Sequence, residues 1–169
     1  MKIMEGQVSK VPQLILTDEL SNLIPHKGKM FLLSRITEHN LEERTATGEY
    51  DITSGCIFYE DALDGIPDWS VFEIMAQTIS AFGSIERIEN DRMDKANPGV
   101  ILSVSNFKSS VAVLKKNTTI KIKIREDCRM DDVTRYECSV FQSSRETDPD
   151  ISAMITVMEM KDMSAFFGI

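Results

Sequence analysis

The most distinctive pattern in the chain is a long apolar run near its middle. Apolar side chains point in almost every direction around a helix drawn through it, so the spacing predicts a buried helix over residues 69–88. Its few polar positions follow at steps of four, three and four, which places them on one narrow stripe: Glu73, Gln77, Ser80 and Ser84. A lone buried carboxylate is costly, so Glu73 must be paired, protonated or open to a ligand cavity. Glu73 is therefore the first candidate for chemistry.

Strand-like segments lie on both sides of this helix. Residues 30–36 and 42–52 predict two strands before it, and residues 53–68 predict an irregular loop. After it, alternating or β-rich runs predict four strands in a meander, at residues 100–107, 119–125, 135–141 and 152–158. This order predicts an α+β fold in which an antiparallel sheet wraps around one long central helix, the hotdog arrangement.

Length and charge narrow the class of protein. A chain of 169 residues with ordinary globular composition predicts one domain over residues 1–169, with residues 1–20 as a leader segment. The net charge of −8 argues against a nucleic-acid partner, because such binding depends on neutralising phosphates.

The cysteines and the hydropathy pattern indicate the compartment. Cys56, Cys128 and Cys138 form neither a metal-ligand spacing nor a disulfide framework, so we expect a reduced compartment and no metal or other cofactor. The first 20 residues contain no signal-peptide pattern, and no apolar run is long enough to span a bilayer. These features predict a cytoplasmic protein.

Three segments resemble a known family. Residues 23–35, LIPHKGKMFLLSR, are similar to the PHR-x-P-F-L-L-x-D-R opening of hotdog 3-hydroxyacyl-[acyl-carrier-protein] dehydratases. Residues 72–77, FEIMAQ, resemble the E-A-x-A-Q signature on their central helix. Residues 65–69, GIPDW, resemble the G-x-P-x-W helix entry of the branch found in aryl-polyene and similar polyketide-type lipid pathways. The resemblance covers residues 20–160.

The resemblance implies a catalytic pair made of a loop histidine and a helix carboxylate. The carboxylate position falls on Glu73, but the histidine position falls on Tyr59. The glycine whose backbone N–H would polarise the thioester carbonyl is replaced by Asp68. An alternative is that Glu73 is a structural carboxylate, satisfied by backbone groups or by Arg35.

Only two histidines are available to replace the missing one. His26 either caps backbone groups in its turn or folds towards Glu73, and we take it as the second catalytic candidate beside Glu73. His39 lies among polar residues and is predicted to be exposed.

Substrate contacts are assigned to residues near these two. The candidates are Tyr59, Trp69, Phe72 and Gln77. Trp69 and Phe72 either wall an acyl tunnel or belong to the core. Gln77 and Ser80 either line a polar floor or form hydrogen bonds across a dimer.

The resemblance predicts an acyl-thioester-binding hotdog protein. It would be a (3R)-hydroxyacyl-acyl-carrier-protein dehydratase, or the carboxylate-bearing subunit of a heteromeric one, acting on a substrate linked to acyl carrier protein or coenzyme A. The expected assembly is a homodimer, or a heterodimer with another hotdog subunit, because an open sheet edge invites pairing. The alternatives are a hotdog acyl-thioesterase and a non-catalytic subunit that binds acyl carrier protein.

Overall fold

The computed structural model describes residues 8–92, 99–142 and 147–161, together with residues 164 and 168. The helices are α1 (Thr17–Leu20) and α2 (Val71–Glu89). Single 3-10 turns lie at Gly28–Met30 and Asp68–Ser70. The strands are β1 (Arg35–Asn40), β2 (Thr45–Asp51), β3 (Gly65–Pro67), β4 (Gly99–Ser109), β5 (Val113–Lys115), β6 (Thr119–Met130), β7 (Val133–Phe141) and β8 (Ile151–Glu159).

Six of the strands form one antiparallel sheet in the order β1-β2-β6-β7-β8-β4. This sheet wraps around α2, so the predicted hotdog arrangement is confirmed. The predicted four-strand meander is wrong in one respect, because only β6, β7 and β8 follow one another in the sheet. Strand β4 lies at the far edge beside β8, while the chain after it passes through β5, which pairs with β3 in a separate two-stranded sheet.

The central helix begins two residues later than predicted, at Val71, after the 3-10 turn at Asp68–Ser70. Its buried side packs against the concave face of the sheet. Large side chains there are fully enclosed: Ile74, Met75, Phe82 and Ile85 on the helix, with Ile120 and Ile122 on β6. Burial of this much apolar surface is the main stabilising contribution to the fold.

The described part of the predicted leader, residues 8–20, contributes to this core; residues 1–7 lie outside the described residues. Ile15 pairs with Ile36 through two backbone hydrogen bonds, and Val11 and Leu20 are buried. His39 is also buried, with its Nε2 2.9 Å from the carbonyl oxygen of Pro12. The expectation that His39 is exposed is therefore wrong, because that backbone carbonyl gives its ring a buried partner.

The edge strand β4 is exposed along nearly its whole length. Every residue of β4 except Val100 is exposed, and its apolar side chains Ile101, Leu102, Val104 and Phe107 are between 36 and 50 % exposed. Beyond β4 the sheet has no further strand among the described residues. No helix in the described ranges is both long and apolar enough to cross a membrane.

A close approach between β2 and α2 fixes the height of the helix above the sheet. A Cβ atom at Gly48 would lie 2.8 Å from Leu33 Cδ1 and 2.9 Å from Thr78 Oγ1. Both distances are below van der Waals contact, so a larger residue would push the helix away from the strand.

We therefore predict that Gly48→Ala destabilises the protein by about 1–3 kcal/mol through overpacking. Urea unfolding measures the effect, with Gly55→Ala as the matched control because its Cβ would come no closer than 3.5 Å to a neighbouring atom. Equal unfolding midpoints for the two variants would show that the helix has room to move.

Candidate active site

Glu73 lies in the first turn of α2, where the polar stripe begins. Its side chain is 13 % exposed, and its carboxylate oxygen Oε1 lies 3.0 Å from Nε2 of His26. His26 belongs to the irregular segment between α1 and the Gly28–Met30 turn, and its side chain is 27 % exposed. The structure thus brings together the two residues predicted as catalytic, which are far apart in sequence.

This contact shows how both side chains are paired, while their catalytic role stays a prediction. His26 is directed to the helix carboxylate, and Glu73 is not satisfied by Arg35, whose guanidinium binds Glu49 and Asp51 instead. Burial alone would raise the pKa of Glu73. The hydrogen bonds from His26 and Gln77 outweigh that effect and hold the pKa of Glu73 below its ordinary value. Glu73 is therefore ionised at neutral pH.

The hydrogen-bonding pattern also sets the tautomer of His26. A carboxylate only accepts hydrogen bonds, so the Nε2 that faces Glu73 carries a proton, and neutral His26 has its lone pair on Nδ1. Nδ1 is shielded from solvent and is the one such buried side-chain atom without a hydrogen-bond partner in the described part of the chain. A buried polar atom left unpaired costs about 1–3 kcal/mol, so this nitrogen calls for a functional explanation.

Gln77, one turn after Glu73, is completely buried and makes four hydrogen bonds. Its Oε1 accepts from the backbone N–H groups of Leu32 and Leu33 at 2.9 and 3.1 Å. Its Nε2 donates to the Met30 carbonyl at 2.7 Å and to Glu73 Oε1 at 3.1 Å. Both donors and both acceptor positions are used within the chain, so Gln77 offers no free polar group to a substrate in this arrangement. Its role in substrate binding stays a prediction. Gln77 fixes the Glu73 carboxylate and the segment that follows His26.

A groove of about 790 Å³ starts at His26 and Glu73 and follows α2 towards its C-terminal end. One side consists of Leu23–Lys27, and the helix supplies the floor through Ala76, Ile79, Ser80 and Gly83. The opposite wall comes from the sheet, through Val100, Ile101, Tyr136 and Val157. The volume is in the range typical of small-molecule sites.

The other three predicted substrate-binding residues do not line this groove. Tyr59 donates a hydrogen bond to Asp64 at 2.9 Å and lies under Lys116. Trp69 is 52 % exposed and packs edge-on against Phe58, with ring centroids 5.7 Å apart. Phe72 is half-buried. The groove extends from Glu73 towards the C-terminal end of α2, while Trp69 and Phe72 lie at the other end of the helix. The assignment of these three aromatics to substrate binding stays a prediction.

Sequence reasoning missed the sheet side of the groove. Val100 and Ile101 belong to β4 and Tyr136 to β7, and no local pattern says which strands face the helix stripe. The small side chains on the floor were visible in the sequence, because Ala76, Ser80 and Gly83 follow at steps of four and three. Among the described residues no cluster of histidine, cysteine, aspartate or glutamate could hold a metal ion.

Solved structures from several bacteria share this fold at low sequence identity. A chain of the dehydratase heterocomplex ApeI:P from Xenorhabdus doucetiae superposes with a TM-score of 0.74 at 15 % identity, covering 88 % of this chain and 95 % of that one. Cj0977, a sigma28-regulated virulence protein from Campylobacter jejuni, superposes with a TM-score of 0.58 at 14 % identity, covering 82 % and 91 %. A hypothetical thioesterase with coenzyme A from Streptococcus pneumoniae gives 0.52 at 14 % identity, covering 74 % and 84 %.

Sequence comparison gives the family. No curated protein sequence matches this chain significantly. The model of the ApeP-like family, described as ApeP dehydratase, matches residues 18–168. The matched range contains the His26 segment, the Glu73 helix and every strand of the sheet. The chain therefore belongs to the ApeP-like dehydratase family.

Proposed function

We propose that this dehydratase removes water from a (3R)-hydroxyacyl thioester carried by acyl carrier protein or coenzyme A. The observation that supports this most directly is the 3.0 Å contact between His26 Nε2 and Glu73 Oε1 at the head of the groove. A histidine oriented by a carboxylate is suited to moving one proton between two positions near neutral pH.

The elimination requires removal of a proton from C2 and donation of a proton to the departing hydroxyl. In the proposed reaction, His26 Nδ1 takes the proton from C2 of the acyl group, and the electrons of that C–H bond form the C2–C3 double bond. The C3–O bond breaks, and the departing hydroxyl takes the proton back from Nδ1 to leave as water. Glu73 remains ionised and stabilises the imidazolium that exists between the two transfers. Nδ1 has no partner within the chain but is shielded from solvent, so the proposed reaction requires the His26 segment to shift and admit C2 of the substrate.

The pairing of His26 with Glu73 replaces the family's loop histidine. Tyr59 occupies that loop position, and its hydroxyl is engaged by Asp64. In the proposal both His26 and Glu73 come from one chain, and a second subunit is not required to supply the histidine. The reaction is expected in the cytoplasm, since the three cysteines are free thiols.

We further propose that the chain pairs with a second hotdog subunit through β4. This strand is 11 residues long, lies at the sheet edge and exposes four large apolar side chains. A long apolar edge of this kind favours pairing with another strand. The likeness to a chain of a dehydratase heterocomplex supports a different hotdog protein as the partner, with a second copy of this chain as the alternative.

The catalytic assignment predicts that Glu73→Gln and His26→Ala each lower the dehydration rate by about 10²–10⁴-fold. The first removes the charge that stabilises the imidazolium, and the second removes the group that carries the proton. The assay measures formation of the enoyl thioester from a 3-hydroxyacyl thioester, with the protein alone and with its hotdog partner. Glu42→Gln is the control, since Glu42 is an exposed carboxylate away from the groove.

Full activity in both variants would contradict the assignment of the pair. Release of free thiol without an enoyl product would instead identify a thioesterase.

The assembly proposal predicts that Leu102→Lys weakens pairing, because it places a charge on the apolar edge strand. Light scattering coupled to size-exclusion chromatography measures the effect, alone and with the partner. Leu14→Lys is the matched control, since Leu14 is 52 % exposed and Leu102 is 50 % exposed. An unchanged assembly for Leu102→Lys would place the interface elsewhere.

A further inference from the structure

Neither the backbone conformation nor the packing at Gly83 requires a glycine. Gly83 lies in the interior of the 19-residue helix α2, where glycine costs roughly 0.5–1 kcal/mol relative to alanine. Its backbone does not require glycine, because φ is not positive there, and a Cβ atom at this position would meet nothing within 4 Å. Gly48 contrasts with it, since its missing side chain is explained by contacts with Leu33 and Thr78.

The open space at Gly83 is part of the groove that this residue lines. Ten residues separate Gly83 from Glu73, which corresponds to about 15 Å along a helix. Ala76 and Ser80 lie between them on the same floor, and the sheet wall opposite includes the apolar side chains of Val100, Ile101 and Val157. A linear chain that starts at the catalytic pair and follows this floor would therefore pass directly over the helix backbone at Gly83.

Beyond Gly83 the character of the groove changes. Glu86 also lines it and accepts hydrogen bonds from Arg44 at 2.7 Å and from Arg129 at 3.1 Å. Both arginines also pair with Glu126. This cluster links α2, β6 and the turn between β1 and β2, and it ends the apolar part of the groove. Entry of an apolar chain would require the ion pairs to be desolvated without replacement.

We propose that this groove holds the acyl chain of the substrate and that Gly83 determines the longest chain that fits. The proposal rests on the function proposed above and adds a specificity determinant to it. The absent side chain lets an extended chain continue past Gly83, about 15 Å from Glu73. The charged cluster at Glu86 limits the chain at about 20 Å from Glu73.

The test compares chain lengths in the full-length protein, with its partner where one is needed. Gly83→Leu should lower kcat/KM for a 3-hydroxytetradecanoyl thioester by at least about tenfold, since filling the groove removes the space of several methylene groups. Its kcat/KM for a 3-hydroxybutyryl thioester should not change. Gly83→Ala is the matched control, because its small side chain fits the open space and should affect the long substrate much less.

Three results would overturn the proposal. They are an unchanged chain-length profile in Gly83→Leu, an equal loss for both substrates, and loss of assembly on the sizing column, which would mean that Gly83 packs against a partner helix.

A binding measurement distinguishes failure of this groove assignment from failure of the proposed reaction. Calorimetry with long and short 3-hydroxyacyl-pantetheine amides, which hold no thioester, measures groove occupancy even if the wild type dehydrates nothing. Selective loss of long-chain binding in Gly83→Leu supports the groove assignment whatever the chemistry. Equal binding of the long amide by wild type and variant contradicts it.

Discussion

The ionised carboxylate of Glu73, mostly shielded from water on an otherwise apolar helix, is the constraint on which the site depends. Its desolvation opposes folding unless hydrogen bonds compensate. His26 and Gln77 supply them, and they outweigh the effect of burial on the pKa of Glu73. Because Gln77 also binds the backbone of residues 30–33, the same group of contacts attaches the irregular segment to the helix. Catalytic geometry and local folding are thus stabilised by one set of hydrogen bonds.

The sheet makes this arrangement possible by enclosing one side of α2 and leaving another side open to the groove. The missing side chain at Gly48 lets the helix approach β2 closely, so its apolar side chains are fully buried. The opposite side of the helix, with Ala76, Ser80 and Gly83, borders the groove instead of the core. The fold therefore separates the stabilising surface of α2 from the surface available to a ligand.

The features predicted correctly from sequence are those with a strong local period. The apolar run and the alternating segments predicted α2, β7 and β8 to within about two residues at each end, and β6 continues five residues beyond its predicted end. The polar stripe identified Glu73. Strands β3 and β5 are three residues long, too short for a periodic signal, and the position of β4 beside β8 depends on pairing between distant residues.

The site was predictable only in part for the same reason. His26 and Glu73 were each identifiable, but their contact depends on how the segment after α1 folds back, so the sequence left two alternatives. The saturated amide of Gln77 depends on its register with residues 30–33. Tyr59, Trp69 and Phe72 were chosen because aromatic residues often line acyl sites, and this property does not indicate which end of the helix a groove follows.

The most direct test of the account is the protonation state of His26 in solution, measured by nitrogen-15 NMR of the histidine rings. The chain has two histidines, so a His39 variant suffices for the assignment. The account predicts that neutral His26 carries its proton on Nε2 and has an unprotonated Nδ1, and that Glu73→Gln shifts the Nε2 resonance. A neutral ring protonated on Nδ1, or a His26 spectrum unaffected by Glu73→Gln, would contradict the claim that these two residues form a functional pair within one chain.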